Sequence, residues 1–212
     1  MLNYQKQFIQ YALDCGVLKF GKFELKSGRI SPYFFNTGLF NSGEKLGKLG
    51  QFYAKTLIES KLEIDVLYGP AYKGIPLVSA TSIAYSQLKQ DIPFAFNRKE
   101  AKDHGEGGFI VGSALQGNVL ILDDVITAGT SVRESVEIIT NMNATPAGVL
   151  IALDRQETGE NGTSAVQEVS EHFKIPVISI ISLKNIIEFL ELNGNSANQL
   201  EIIKQYRLNY GV

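Results

Sequence analysis

Val119-Leu120-Ile121-Leu122-Asp123-Asp124-Val125-Ile126-Thr127-Ala128-Gly129-Thr130-Ser131 carries the transition on which the architecture turns. Four apolar residues make a short strand buried on both faces, and two adjacent carboxylates end it. A loop of small residues then passes through Gly129 into a segment of helical period. Successive N–H groups of such a loop, with the Thr127 and Thr130 hydroxyls beside them at a helix N-terminus, form a nest for a phosphate dianion. Asp123 and Asp124 would repel that phosphate, so they suit hydroxyls or a cation instead. Together the two parts fit a sugar phosphate, its diol on the carboxylates and its phosphate on residues 126–130. A strand end and a helix cap would by themselves explain the acids and the threonines. The functional reading rests on the whole string. Neither G-x-x-x-x-G-K-[ST] nor G-x-G-x-x-G occurs in it, which excludes a P-loop and a dinucleotide fingerprint there.

Working outward, short apolar runs at 65–68, 93–96, 119–122, 147–153 and 177–181 read as strands. Residues 43–60, 75–88 and 131–143 have helical period. This alternation predicts an α/β fold with a mostly parallel central sheet flanked by helices. Ligands collect beyond the carboxyl ends of such strands, so segments 69–74, 98–108, 123–130 and 154–157 are the places to look. At the N-terminus Asn3 is placed to cap a helix that runs to about Cys15, with Gly16 as its stop, and 20–25 and 31–36 read as strands of a small lobe. The expectation is a single domain over 1–212, with the lobe at about 1–40 and the core at about 41–212. Stretches 158–164 and 193–198 read as surface turns, His172 as a surface or packing residue within the amphipathic segment 166–173, and Tyr206 and Tyr210 as packing residues.

The chain has 212 residues, 44% hydrophobic and 20% charged, with mean hydropathy +0.01, the balance of a folded globule rather than a disordered chain. Twenty Lys and Arg against 22 Asp and Glu leave a net charge of −2, which argues against a protein that grips nucleic acid through phosphate neutralisation. No apolar run is long enough to span a membrane, and residues 1–25 lack the form of a leader, so a cytoplasmic protein is expected. One cysteine, Cys15, and two distant histidines, His104 and His172, give neither a disulfide framework nor a metal-site spacing.

The 119–131 string resembles the phosphoribosyl-pyrophosphate (PRPP) motif of the type I phosphoribosyltransferases. Further stretches narrow the resemblance to the orotate phosphoribosyltransferase family: Leu25-Lys26-Ser27-Gly28-Arg29, Ser31-Pro32-Tyr33-Phe34-Phe35-Asn36, Gly69-Pro70-Ala71-Tyr72-Lys73-Gly74, Phe96-Asn97-Arg98-Lys99-Glu100-Ala101-Lys102-Asp103-His104-Gly105-Glu106-Gly107-Gly108 and Leu153-Asp154-Arg155-Gln156. Ser131 departs from the alanine frequent in that family. The resemblance implies transfer of ribose 5-phosphate from PRPP to orotate with Mg²⁺, held mainly through PRPP and not by direct protein ligands. It also implies a homodimer. PRPP would be held by Lys26, Tyr72, Lys73, Arg98, Lys99, Lys102, His104 and the run Asp123, Asp124, Val125, Ile126, Thr127, Ala128, Gly129, Thr130 and Ser131. Orotate would be held by Lys26, Phe34, Phe35, Thr127 and Arg155. Lys102, Asp123 and Asp124 are the implied catalytic residues. Residues 98–108 would be a flexible hood that carries Lys99, with Lys102 a further candidate, into the neighbouring subunit's site.

Other classes fit these residues less well. A phosphoryl-accepting receiver also has an acidic pair after a buried strand, but near its N-terminus and without the Thr-Ala-Gly-Thr nest. A PRPP-sensing regulator would keep the nest and add a basic DNA-reading element, which this sequence lacks. A purine or uracil phosphoribosyltransferase differs around Phe34, Phe35 and Arg155.

Overall fold

Strand β6 (Asn118–Leu122) lies between β3 (Val66–Gly69) and β7 (Thr145–Asp154) and runs parallel to both. Flanked on each edge and covered on each face, it has no place for a polar side chain until the sheet ends, so Val119 to Leu122 are buried and the acids begin at Asp123. The computed structural model describes residues 1–25, 27–102, 108–127, 129–159, 162–193 and 197–212, with the backbone alone for Ala101 and Lys102.

The main sheet has the order β5-β4-β3-β6-β7-β8, in which β4 is Phe94–Lys102, β5 is Gly108–Gly112 and β8 is Val177–Ser182. All neighbouring pairs are parallel except β4 with β5. Here the structure refines the reading of 98–108 as a flexible hood: 98–102 belong to β4 and Gly108 to β5, while 103–107 lie outside the described residues. The strand continues through the charged run to Lys102 and returns as an antiparallel edge strand, with Asn97 opposite Ile110. The charged run lies beyond Phe96, the last residue of β4 paired with β3, so it is paired only with β5 and charges are tolerated there.

Strand side chains alternate between two cores, as a period of two requires. Leu67, Leu120, Leu122, Leu150 and Ala152 face α1 (Asn3–Asp14), α2 (Gly43–Ser60), α3 (Gly74–Leu88) and α6 (Leu183–Asn193). Val66, Tyr68, Val119, Ile121, Val149 and Ile151 face α4 (Thr130–Asn141) and α5 (Ala165–Phe173). The first helix starts at Asn3 itself, preceded by Leu2, whose N–H donates to the Gln5 side chain at 2.9 Å. Asn3 therefore occupies the first helical position and is not the cap.

Strands β1 (Leu18–Glu24) and β2 (Ile30–Phe35) form a separate antiparallel hairpin with a register shift between Phe20 and Phe23. Two C-terminal helices, α6 and α7 (Ala197–Tyr210), were not anticipated. The second of them packs Tyr206 edge-on against Tyr33 of β2 at 6.4 Å, which bears out the packing role read for Tyr206. Residues 194–196, within the stretch read as a turn, lie outside the described residues, as do Glu160 and Asn161. Among the described residues no helix is long and apolar enough to cross a membrane.

Helices α2 and α3 meet closely because Gly50 has no side chain: a Cβ there would lie 2.5 Å from the Ala80 carbonyl oxygen. Gly47, on the same helix, has open space around its Cα. Gly50→Ala should therefore cost about 1–3 kcal/mol through overpacking. Gly47→Ala should gain up to about 1 kcal/mol in helix propensity. Urea denaturation of both variants checks the pair, and a stabilising Gly50→Ala would contradict the close helix packing.

Candidate active site

Asp123 and Asp124 leave β6 in different environments. Asp123 is buried, its carbonyl accepts a 2.7 Å hydrogen bond from the Tyr53 hydroxyl, and its Oδ1 accepts from the Asp124 N–H at 2.8 Å. Burial pushes its carboxyl up to about 6, the Asp124 charge adds to that, and hydrogen bonds from the Asp124 backbone and Ser131 pull it partly back. Ser131, which the resemblance places among the PRPP contacts, also lies beside the Asp123 carboxylate.

Asp124 takes Lys73 Nζ at 2.7 Å and Thr37 Oγ1 at 2.8 Å on one oxygen, Oδ2, and the Val125 N–H at 2.8 Å on the other. Burial alone would raise its pKa, but the hydrogen bonds from Lys73, Thr37 and Val125 outweigh it and hold the carboxyl below the usual range. One of the two acids is thereby kept ionised by a cation, and its charge opposes ionisation of the other.

Downstream of the acids, Val125 and Ile126 pack against the two cores, while Thr127 and Thr130 are exposed. Gly129 has φ +68° and stands immediately before α4, whose first turn contains no acid. A left-handed residue there turns the loop so that the following N–H groups face outward at the positive end of the helix. Ala128 lies outside the described residues.

After β3, residues 69–74 form a tight loop containing a cis peptide between Ala71 and Tyr72. A Cβ on Gly69 would overlap the Gly74 carbonyl. Buried Asn97 on β4 accepts the Ala71 N–H at 2.8 Å, and so ties this loop to the strand that carries Arg98 and Lys99. Tyr72 is exposed, as is Lys99. Arg98 reaches across to the Gly108 carbonyl at 3.2 Å. The Lys102 side chain, His104 and Lys26 fall outside what is described.

On the other side of the sheet end, Phe34 and Phe35 point apart, as neighbours on a strand must. Phe34 is exposed and stacks on Phe23 at 5.4 Å; Phe35 turns its ring edge to Phe8 in the core at 6.3 Å. Arg155, just past β7, lies over the Tyr33 ring at 4.3 Å and donates to Ser31 Oγ at 3.1 Å and to Glu157 Oε1 at 2.7 and 3.0 Å. Burial would lower its pKa, but Tyr33 and Glu157 beside it more than compensate and keep the guanidinium charged. The structure thus brings Lys73 directly to Asp124, and places Arg155 and the hairpin at the carboxyl end of the strand next to β6.

Thr37, Tyr53, Asn97 and Glu157 were missed. Asn97 and Thr37 sit inside or just beyond the recognised stretches, and Glu157 is two residues from Arg155, so proximity to a motif was the available signal. Among the described residues no three His, Cys, Asp or Glu come together as metal ligands. Asp123 and Asp124 are two such carboxylates, and they stand together at the end of β6.

Residues 40–178 match the family model described as "Phosphoribosyl transferase domain". Over 212 residues the chain is 57% identical to the orotate phosphoribosyltransferase of Thiobacillus denitrificans, with all of both chains covered. It is 59% identical over 212 residues to that of Methylococcus capsulatus, covering all of this chain and 99% of the relative. The crystal structure of the orotate phosphoribosyltransferase of Francisella tularensis superposes with a TM-score of 0.89 at 44% identity, covering 97% of this chain and 100% of the other. A carboxylate pair and left-handed glycine at the end of a central parallel strand, with likeness over the full length, leave one assignment: the chain belongs to the orotate phosphoribosyltransferase family of type I phosphoribosyltransferases.

Proposed function

We propose that this protein transfers the ribose 5-phosphate group of PRPP to N1 of orotate, yielding orotidine 5′-monophosphate and pyrophosphate in the formation of pyrimidine nucleotides. The observation that carries the reading is the Asp123–Asp124 pair beside the Gly129 nest in a chain of that family. In the reaction the C1–O bond to pyrophosphate breaks, the C1–N1 bond forms, and orotate N1 loses its proton. C1 develops positive charge as the leaving group departs, so catalysis lies in holding both substrates and neutralising pyrophosphate, with no protein nucleophile.

The backbone and hydroxyls of Val125 to Ser131 hold the 5-phosphate, and Asp123 and Asp124 accept the ribose hydroxyls. Tyr72, Lys73, Arg98, Lys99, Lys102 and His104 surround the diphosphate, with Lys26 between the substrates. Phe34 stacks on the base; Phe35, with its ring in the core, offers its backbone; Thr127 and Arg155 complete the orotate site, Arg155 facing the carboxylate. Mg²⁺, held mainly through PRPP oxygens, supplies further neutralisation of the diphosphate. The whole of 1–212 acts as one catalytic unit in the cytoplasm. It functions as a homodimer in which the β4–β5 ribbon lends Lys99 to the partner's site, with Lys102 a further candidate; what supports a joint role for the ribbon and the 69–74 loop is the Ala71 N–H bond to Asn97.

With PRPP supplied, orotate should be consumed with release of pyrophosphate, and uracil, hypoxanthine and adenine should not; faster turnover of one of the other bases would reassign the base site. Lys102→Ala should lower kcat by on the order of 10²–10³ with much less effect on orotate binding. Mixed with an inactive Asp123→Ala partner it should regain activity; a near-normal kcat, or a silent mixture, would remove Lys102 from the shared role.

Asp123 has a folded pKa of about 6, raised from 3.8. For an acid raised in this way the destabilisation is absent below the unfolded value and complete above the folded one. Asp123→Asn should therefore be more stable than the parent at pH 7–8, by on the order of 1–3 kcal/mol, with the gain disappearing as pH falls from 6 to 4. Chemical denaturation across that range measures it, and a gain independent of pH would refute the buried-charge account.

A further inference from the structure

Glu157 is almost fully enclosed yet has no part in the reaction as described. Its side chain is 11% exposed, and Oε1 accepts three hydrogen bonds: from Arg155 Nη2 at 2.7 Å, from Arg155 Nε at 3.0 Å and from the Tyr33 hydroxyl at 3.1 Å. Its Oε2 stands 3.5 Å from Arg29 Nη1. Arg29 in turn lies over the Tyr210 ring at 4.5 Å and donates to the Thr158 carbonyl at 3.2 Å. The backbone around Glu157 is also fixed: it pairs with Gly211, the Thr158 N–H donates to the Tyr210 carbonyl at 2.7 Å, and the Val212 N–H donates to the Gln156 carbonyl at 3.1 Å.

A guanidinium has five N–H donors in a rigid plane. In Arg155 the Nε edge is taken by Glu157, and Nη2 is shared between Glu157 and Ser31. Tyr33 covers one face of the plane. Among the described residues Nη1 donates to nothing, so one corner of the fork is left for a ligand. A carboxylate that merely neutralised Arg155 from any side would not impose this; one that binds the Nε edge decides which corner faces outward. It also separates two cations, Arg155 and Arg29, that would otherwise repel across the same space.

We propose that Glu157 is a positioning residue for orotate recognition. It locks the Arg155 guanidinium so that its Nη1 corner is presented to the substrate carboxylate. The inference rests on the reading that Arg155 meets that carboxylate. Glu157 touches no substrate, and its effect passes entirely through Arg155.

The test is a double-mutant cycle on the full-length enzyme with Glu157→Gln, Arg155→Ala and the pair, measuring kcat and both KM values together with the melting temperature. The glutamine amide is isosteric but removes the charge and sets an NH₂ group against Arg29. Glu157→Gln should raise the orotate KM on the order of 10-fold, the scale of a charged hydrogen bond lost, with kcat and the PRPP KM changed less than about threefold. In the Arg155→Ala background it should change the orotate KM no further, because coupled residues are non-additive. An unchanged or lower orotate KM in Glu157→Gln, while Arg155→Ala raises it, overturns the positioning role and leaves the Arg155 reading standing. An unchanged orotate KM in Arg155→Ala overturns both. The same factor in both backgrounds also overturns the proposal. If Glu157→Gln does not fold, Tyr33→Phe removes one Oε1 donor with the charge pair intact: a selective rise in orotate KM supports the role and no change overturns it.

Discussion

One carboxylate oxygen, Oδ2 of Asp124, receives Lys73 at 2.7 Å and Thr37 at 2.8 Å. Thr37 follows the hairpin, Lys73 closes the loop after β3, and Asp124 ends β6, so three chain segments remote in sequence meet on one atom. The parallel sheet makes the meeting possible, because β3 and β6 end side by side and deliver their loops to the same rim. With Asp124 held anionic, the adjacent Asp123 is left to bear the cost of a second buried charge. The ordinary repulsion of neighbouring carboxylates thereby becomes a division of labour between an ion-paired acid and a protonatable one.

The two cations best described at the site are both seated on resident carboxylates, yet the pairs differ in kind. The Lys73 side chain is 70% exposed while that of Arg155 is 18% exposed. Only the lysine end of the first pair is solvated: Asp124 is 13% exposed, so Lys73 could turn to a ligand only by leaving that carboxylate to Thr37 and the Val125 N–H. Breaking a buried pair strands a charge in low dielectric and costs several kcal/mol, so Arg155 stays with Glu157, and in the proposed orotate site it would act through the donors that remain. The net charge of −2 is consistent with such local pairing, in which a cation directed at a substrate is held beside its own counter-ion.

The strand-to-helix string at 119–131 was legible because everything it does is local: four buried residues, two acids, a glycine turn and a helix start. The β4–β5 ribbon was not, because Arg98 to Lys102 carry the polarity of a loop, and only pairing with residues 108–112 makes them a strand. The alternation of Phe34 and Phe35 was readable, while the choice of which ring enters the core depended on Phe8 in another element. Thr37 lies just beyond a recognised stretch and Asn97 within one, but neither role is local. Each acts by reaching a partner 87 or 26 residues away, a distance that single-sequence periodicity does not span.

This contrast separates the two halves of the site. The proposed phosphate half is drawn from one continuous stretch of sequence, 119–131, so its signature is short and identifies a superfamily. The base half is assembled from β2, the segment after β7 and the last turn of α7: Ser31 and Tyr33 hold Arg155, Glu157 holds it again, and Tyr210 and Gly211 hold the ground beneath Glu157. Among the described residues none of these contacts involves residues 125–131. With the base site as proposed, substitutions in the hairpin or in α7 would alter which base is accepted without reaching the 119–131 motif, and discrimination between bases has to be read from long-range contacts rather than from the motif.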